Sequence, residues 1–126
     1  MQLSVTDKIV IEKELLVGTP DDILYSTIIE NKRGDNTFIL LVEYQKGTES
    51  SLRFEFSILD EETGKEYLLQ HTTFYDELEG MSAHTFEVPP CARQFVMTVS
   101  AYDEVTSQPI VSNATVDIII KTNSPH

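Results

Sequence analysis

The chain has 126 residues, 40% of them apolar, with 21 acidic against 9 basic side chains and a formal charge of −12. That length carries one domain, residues 1–126, with a core of its own, and the apolar content argues against wholesale disorder. The acidic balance, with Lys32-Arg33 as the densest basic spot, speaks against nucleic acid or an anionic membrane as partner, since both repel such a surface.

The longest apolar run, residues 38–42, falls far short of the ~20 residues that cross a bilayer as a helix. The opening MQLSVTDKIV places charge where a secretory signal needs an apolar segment. A single cysteine, Cys91, excludes an intrachain disulfide and suits a reducing cytoplasm. The expectation is a soluble protein that enters no secretory pathway.

Residues 3–17 admit a helix over 7–16, but the β-branched run 8–11 favours one or two short strands broken or bulged at Glu12-Lys13-Glu14. Residues 18–22, Gly-Thr-Pro-Asp-Asp, form a turn. Residues 23–30 alternate with apolar side chains on both faces, which predicts a strand covered on more than one side. Residues 31–36 are a loop that contains Arg33-Gly34-Asp35, a tripeptide displayed by integrin ligands and also short enough to occur by chance.

Residues 37–59 are the most strongly patterned stretch and predict two long strands joined as a hairpin at Lys46-Gly47. In the first, Phe38, Leu40, Val42 and Tyr44 oppose Ile39, Leu41, Glu43 and Gln45; in the second, Leu52, Phe54, Phe56 and Ile58 oppose Arg53, Glu55 and Ser57. A period of two marks strands with one face in a core. Burying the four side chains from Leu52 to Ile58 contributes about 6–12 kcal/mol before entropy is subtracted. Residues 60–65 form an acidic turn, and a short strand begins over 66–70. Residues 71–82 look irregular, residues 83–88 are a short strand stopped by Pro89-Pro90, and residues 93–102 and 110–122 alternate as two further strands. Seven or eight strands without an amphipathic helix predict an all-β fold: a single antiparallel β-sandwich, immunoglobulin- or fibronectin-like, with a jelly roll as the alternative.

No catalytic constellation emerges. Cys91 follows two prolines in a connection, no serine sits in a nucleophile elbow, and three histidines at 71, 84 and 126 with one cysteine do not make a zinc set. Asp60, Glu61 and Glu62 at one turn and Asp76, Glu77 and Glu79 at another leave calcium open, although neither run has the spacing of a calcium loop. No phosphate loop precedes Gly64-Lys65, and a chain without tryptophan lacks the usual sugar platform. Asn113-Ala114-Thr115 is a glycosylation sequon that matters only in a secreted chain. The expectation is a non-enzyme with no cofactor and no metal.

Residues 42–59, VEYQKGTESSLRFEFSIL, resemble a pattern in small β-sandwich virion proteins of tailed bacteriophages. A Tyr-x-Lys-Gly turn (Tyr44, Lys46, Gly47) is followed by Glu49, Ser50 and Ser51. An alternating strand (Phe54, Phe56, Ile58) then leads to a turn with Asp60 and Gly64. Tyr67 stands where that pattern often has tryptophan. The resemblance implies a capsid decoration (cement) protein or a head–tail protein, made in the host cytoplasm and located in the virion. Its partners would be the major capsid protein or other virion subunits, with a dimer or trimer of the chain itself compatible. An immunoglobulin-like adhesion or protein-interaction module, reading a ligand with loop 31–36, is the alternative. Large apolar side chains on irregular segments must pack back on the domain or meet a partner, so the expected interface residues are Leu3, Val5, Phe74, Tyr75, Leu78 and Met81.

Overall fold

A computed structural model describes residues 5–31, 37–75, 80–89 and 92–124, with side chains for 15–31, 37–69, 81–89 and 92–121. Among these residues, nine antiparallel strands make up two sheets. In the first the order is β1 (Val5–Val17), β9 (Ala114–Ser124), β3 (Thr37–Gln45), β6 (Gly80–Glu87). In the second it is β2 (Leu24–Glu30), β7 (Gln94–Asp103), β4 (Ser51–Leu59), β5 (Glu66–Tyr75), with the two-residue β8 (Gln108–Pro109) paired to β7. No helix occurs among the described residues.

The first strand lies beside the last, and the chain changes sheet at every connection except β4–β5 and β7–β8. This is the double Greek-key order of a jelly roll. Of the two connectivities open to the sequence, the structure takes that one rather than the hairpin-rich order of an immunoglobulin domain.

The alternation read from the sequence is what fills the space between the sheets. Phe38, Leu40, Val42 and Tyr44 of β3, Leu52, Phe54 and Phe56 of β4, Phe95, Met97, Val99 and Ala101 of β7, and Ala114, Val116, Ile118 and Ile120 of β9 are all buried. One end of the sandwich is packed by a phenylalanine cluster contributed by both sheets. Phe56 stacks on Phe86 with centroids 4.0 Å apart, Phe38 lies 5.3 Å from Phe86, and Phe95 meets Phe38 edge-on at 5.3 Å. Such pairs add to what burial alone contributes.

Four local expectations change. The hairpin at Lys46-Gly47 is an arch: β3 and β4 lie in different sheets and never pair, so this turn links the layers. The stretch 71–82 is mostly strand, since β5 continues to Tyr75 against β4 and β6 begins at Gly80 against β3. The reason is backbone satisfaction: the buried ladder of β4 needs a second neighbour along its whole length, and Thr72 and Thr73 suit one. The N-terminal segment is one long strand of 13 residues rather than one or two short ones. It carries the shift expected near Glu12–Leu15, plus an unexpected one between Lys8 and Val10. Finally, β2 is covered on one side only. Ile29 is buried, whereas Leu24 and Ile28 are 48% and 56% exposed.

Candidate binding surfaces

The arch between β3 and β4 holds the one buried carboxylate among the described side chains. Glu49 is 1% exposed. Tyr44 Oη donates to its Oε2, and Ser112 Oγ donates to its Oε1. The Gly47 amide donates to both oxygens, at 2.9 and 3.1 Å. Ser112 Oγ in turn accepts from the amides of Thr48 (2.6 Å) and Glu49 (2.9 Å), and the Ser112 amide reaches the Gly18 carbonyl at 2.8 Å. Gly47 is required by space, because a Cβ there would overlap the Ser112 carbonyl and come within 2.6 Å of its Oγ. Ser50 and Ser51 extend the tie. Ser50 Oγ donates to the Tyr102 carbonyl (3.1 Å) and accepts from the Glu104 amide (2.8 Å), while Ser51 Oγ donates to Glu104 Oε1 (3.0 Å). The residues that carry the sequence resemblance, Tyr44, Gly47, Glu49, Ser50 and Ser51, therefore fasten the end of the sandwich. The hydrogen bonds of this cluster run from one part of the fold to another, tying β3, the arch, β7 and the segment before β9 together.

The acidic turn is likewise self-contained. Asp60 accepts from Thr63 Oγ1 at 2.6 Å and from the Glu62 amide at 3.4 Å. The Thr63 hydroxyl first, with the amides of Glu62 and Thr63, holds the Asp60 carboxyl below its ordinary value. The described acids and histidines form no group of three or more placed to hold a metal ion. Asp76, Glu77, Glu79, Cys91, His126 and the Arg33-Gly34-Asp35 loop lie outside the described residues.

What the structure offers a partner is its outer faces. On the sheet β2-β7-β4-β5, Arg53 is the centre: its Nε lies 3.1 Å from Glu55 Oε1 and its guanidinium 4.8 Å from the Tyr102 ring centroid. Ser26 and Thr98 share a 2.9 Å hydrogen bond beside it, with Leu24 and Ile28 exposed along the outermost strand. On the other sheet the register aligns Ala83, Leu41 and Ile119 across three strands, an aliphatic band facing outward. Met81, opposite Glu43, lies next to it and is 86% exposed.

The expected interface residues do not gather in one place. Val5 opens β1 opposite Ser124; Phe74 and Tyr75 take register positions opposite Leu52 and Ser51 in β5; Met81 is on β6. Leu3 and Leu78 lie outside the described residues. Leu24 and Ile28 were missed as candidates. Their signal was present, since both halves of the β2 alternation are apolar, but only one half has a sheet to pack against.

No family model and no curated protein matches the chain. Among solved structures, it is similar to one described as Bacillus endospore appendages that form a family of disulfide-linked pili. The TM-score is 0.50 at 15% identity, covering 100% of this chain and 92% of that one. It is also similar to a carbohydrate-binding module specific for non-crystalline cellulose, CBM28, with TM-score 0.50 at 11% identity over 98% of this chain and 75% of that one. These likenesses establish the fold, a β-sandwich, and nothing finer.

Proposed function

We propose that the protein is a non-enzymatic virion structural protein that decorates the outside of a phage capsid, binding the major capsid protein and stiffening the shell. The observation that carries the reading is the contrast between the ends and the faces of the sandwich. The polar residues at the arch are spent on the fold itself, while apolar side chains such as Met81, Leu24 and Ile28 are left on outer surfaces. A module that works by contact needs that distribution, and a clamp holding several subunits at once gains affinity through avidity. The resemblance of residues 42–59 supports the virion context, and the acidic surface suits the outside of a shell better than its DNA-facing side.

Cosedimentation of the purified chain with purified capsids tests this. Saturable binding that Met81→Asp weakens at least several-fold, with melting unchanged, is the expected result. No binding to capsids would overturn the reading and leave the free-standing interaction module in its place.

A further inference from the structure

On the outer face of the sheet β2-β7-β4-β5, two rows of polar side chains lie next to each other. Strand alternation sends Phe54, Phe56, Met97 and Val99 inward, where all are fully buried, so Arg53, Glu55, Thr98 and Ser100 point outward. The register sets Arg53 beside Ser100 in one row, and Glu55 beside Thr98 and then Ser26 in the next. The patch spans about 7 Å along the strands and about 10 Å across them.

These groups are held in place without being used up. Arg53 is fixed on two sides: its Nε donates to Glu55 Oε1 at 3.1 Å, and its guanidinium lies 4.8 Å from the centroid of the Tyr102 ring. Those contacts leave both terminal amino groups of the guanidinium, and Glu55 Oε2, without a hydrogen-bond partner among the described residues. The Thr98 and Ser26 hydroxyls share one 2.9 Å hydrogen bond, so one of their two hydrogens remains to be given. Ser100 is the member that the fold leaves unexplained. It is 4% exposed, yet its hydroxyl has no partner among the described residues. Folded proteins rarely leave a buried polar group in that state, because the desolvation is then uncompensated. At the arch, by contrast, the buried Glu49 and Ser112 are each tied more than once.

We propose that this patch binds a neutral carbohydrate, Arg53 and Glu55 together gripping a pair of adjacent sugar hydroxyls. A hydroxyl both gives and accepts a hydrogen bond. One accepts from the terminal amino groups of Arg53 while its neighbour donates to Glu55 Oε2. Ser100 at the floor of the patch and the Thr98–Ser26 pair meet hydroxyls further along the ring. A net charge of −12 and Glu55 beside Arg53 disfavour an anion, and Arg53 itself disfavours a cation, which leaves an uncharged ligand. The patch is also polar where a protein-binding hot spot is aromatic and apolar. Recognition runs through hydrogen bonds, so it does not depend on the tryptophan that the chain lacks. Because Tyr102 and Glu55 already hold Arg53, little side-chain freedom is lost on binding. Met81, the residue tested for the capsid contact, lies on the other sheet, so either reading can fail without the other.

Titration of the isotope-labelled full chain, followed by NMR, tests it. The probes are cellohexaose, laminarihexaose and mannohexaose, with an oligomer of uronic acid as the charged comparison, each taken to ~10 mM so that a millimolar Kd is still seen. Saturable shifts of the Arg53 Nε–H and of the backbone amides around Arg53 and Ser100 are expected with at least one neutral oligosaccharide. Arg53→Ala is expected to weaken binding at least about tenfold. Arg53→Lys keeps the charge but loses the planar fork, and is expected not to restore it. Ser100→Ala is expected to weaken binding, and Met81→Asp to leave it unchanged. No saturable shift of the wild-type chain with any neutral probe overturns the proposal without reference to a variant. Shifts with the uronic acid oligomer alone overturn it as well, and make Arg53 an anion site. So does an Arg53→Lys chain that binds as tightly as wild type. Loss of capsid cosedimentation in a cooperatively melting Arg53→Ala chain, without sugar binding by wild type, returns the patch to the capsid contact and overturns the proposal too.

Discussion

Replacing Glu49 by alanine removes the acceptor around which the β3–β4 arch closes. Tyr44 Oη, the Gly47 amide and Ser112 Oγ all donate to the Glu49 carboxylate, and Tyr44 and Glu49 are each 1% exposed. The variant takes the shared carboxylate away from three donors at a site buried in the folded chain. Each such loss costs about 1–3 kcal/mol, less whatever relaxation recovers, so a total of about 3–5 kcal/mol is expected. Against a typical domain stability of about 5–15 kcal/mol this is a large fraction, and it corresponds to about 10–20 °C in Tm for a chain of this size. Urea unfolding followed by far-UV circular dichroism measures it, with an unchanged m-value showing that the folded state is still the one being lost. Glu49→Gln keeps one acceptor oxygen and must cost less than alanine. An alanine variant within ~1 kcal/mol of wild type would refute the account of Glu49 as the closing group of the arch.

Three further perturbations follow from the same contacts. Gly47→Ala drives a Cβ into the Ser112 backbone and is expected to destabilise by about 1–3 kcal/mol, read as a fall in the urea midpoint. Inserting one residue between Leu52 and Phe54 turns half of β4 inside out while it is paired on both sides, to β5 and β7; loss of the cooperative thermal transition is expected, and an unshifted melt would contradict the register. Asp60 has its carboxyl held below 3.8 by Thr63, so its contribution is present above that pH and is lost as the pH falls through the lower folded value. The acid limbs of wild type and Asp60→Asn should therefore differ at neutral pH and converge at the acid end. Limbs that stay parallel throughout would remove the Asp60–Thr63 contact as the cause.

The six expected interface residues illustrate how far sequence pattern reaches. Phe74 and Tyr75 read as irregular because His71 to Tyr75 lack alternation, yet the backbone of β4 needed a neighbour and this stretch supplies it. A requirement imposed by another strand leaves no mark on the segment that meets it. The apolar pairs of β2 gave the converse error, since two apolar faces looked like burial on both sides when one of them is open.

What the amino-acid order determined by itself was local. The period-two alternation of β3, β4, β7 and β9 specifies which side chains enter the core, and the turn residues specify where the strands stop. Side-chain direction in a strand depends only on position along it, so that information is complete within each segment. Which strands pair was decided elsewhere. The arch at Lys46-Gly47 looks locally like a hairpin, and only the inward Glu49, tied to Ser112 from the far end of the chain, makes it a crossing between sheets. Pairing is a contest among all the strands for the same backbone partners, and its outcome is a property of the assembled sandwich rather than of any one stretch.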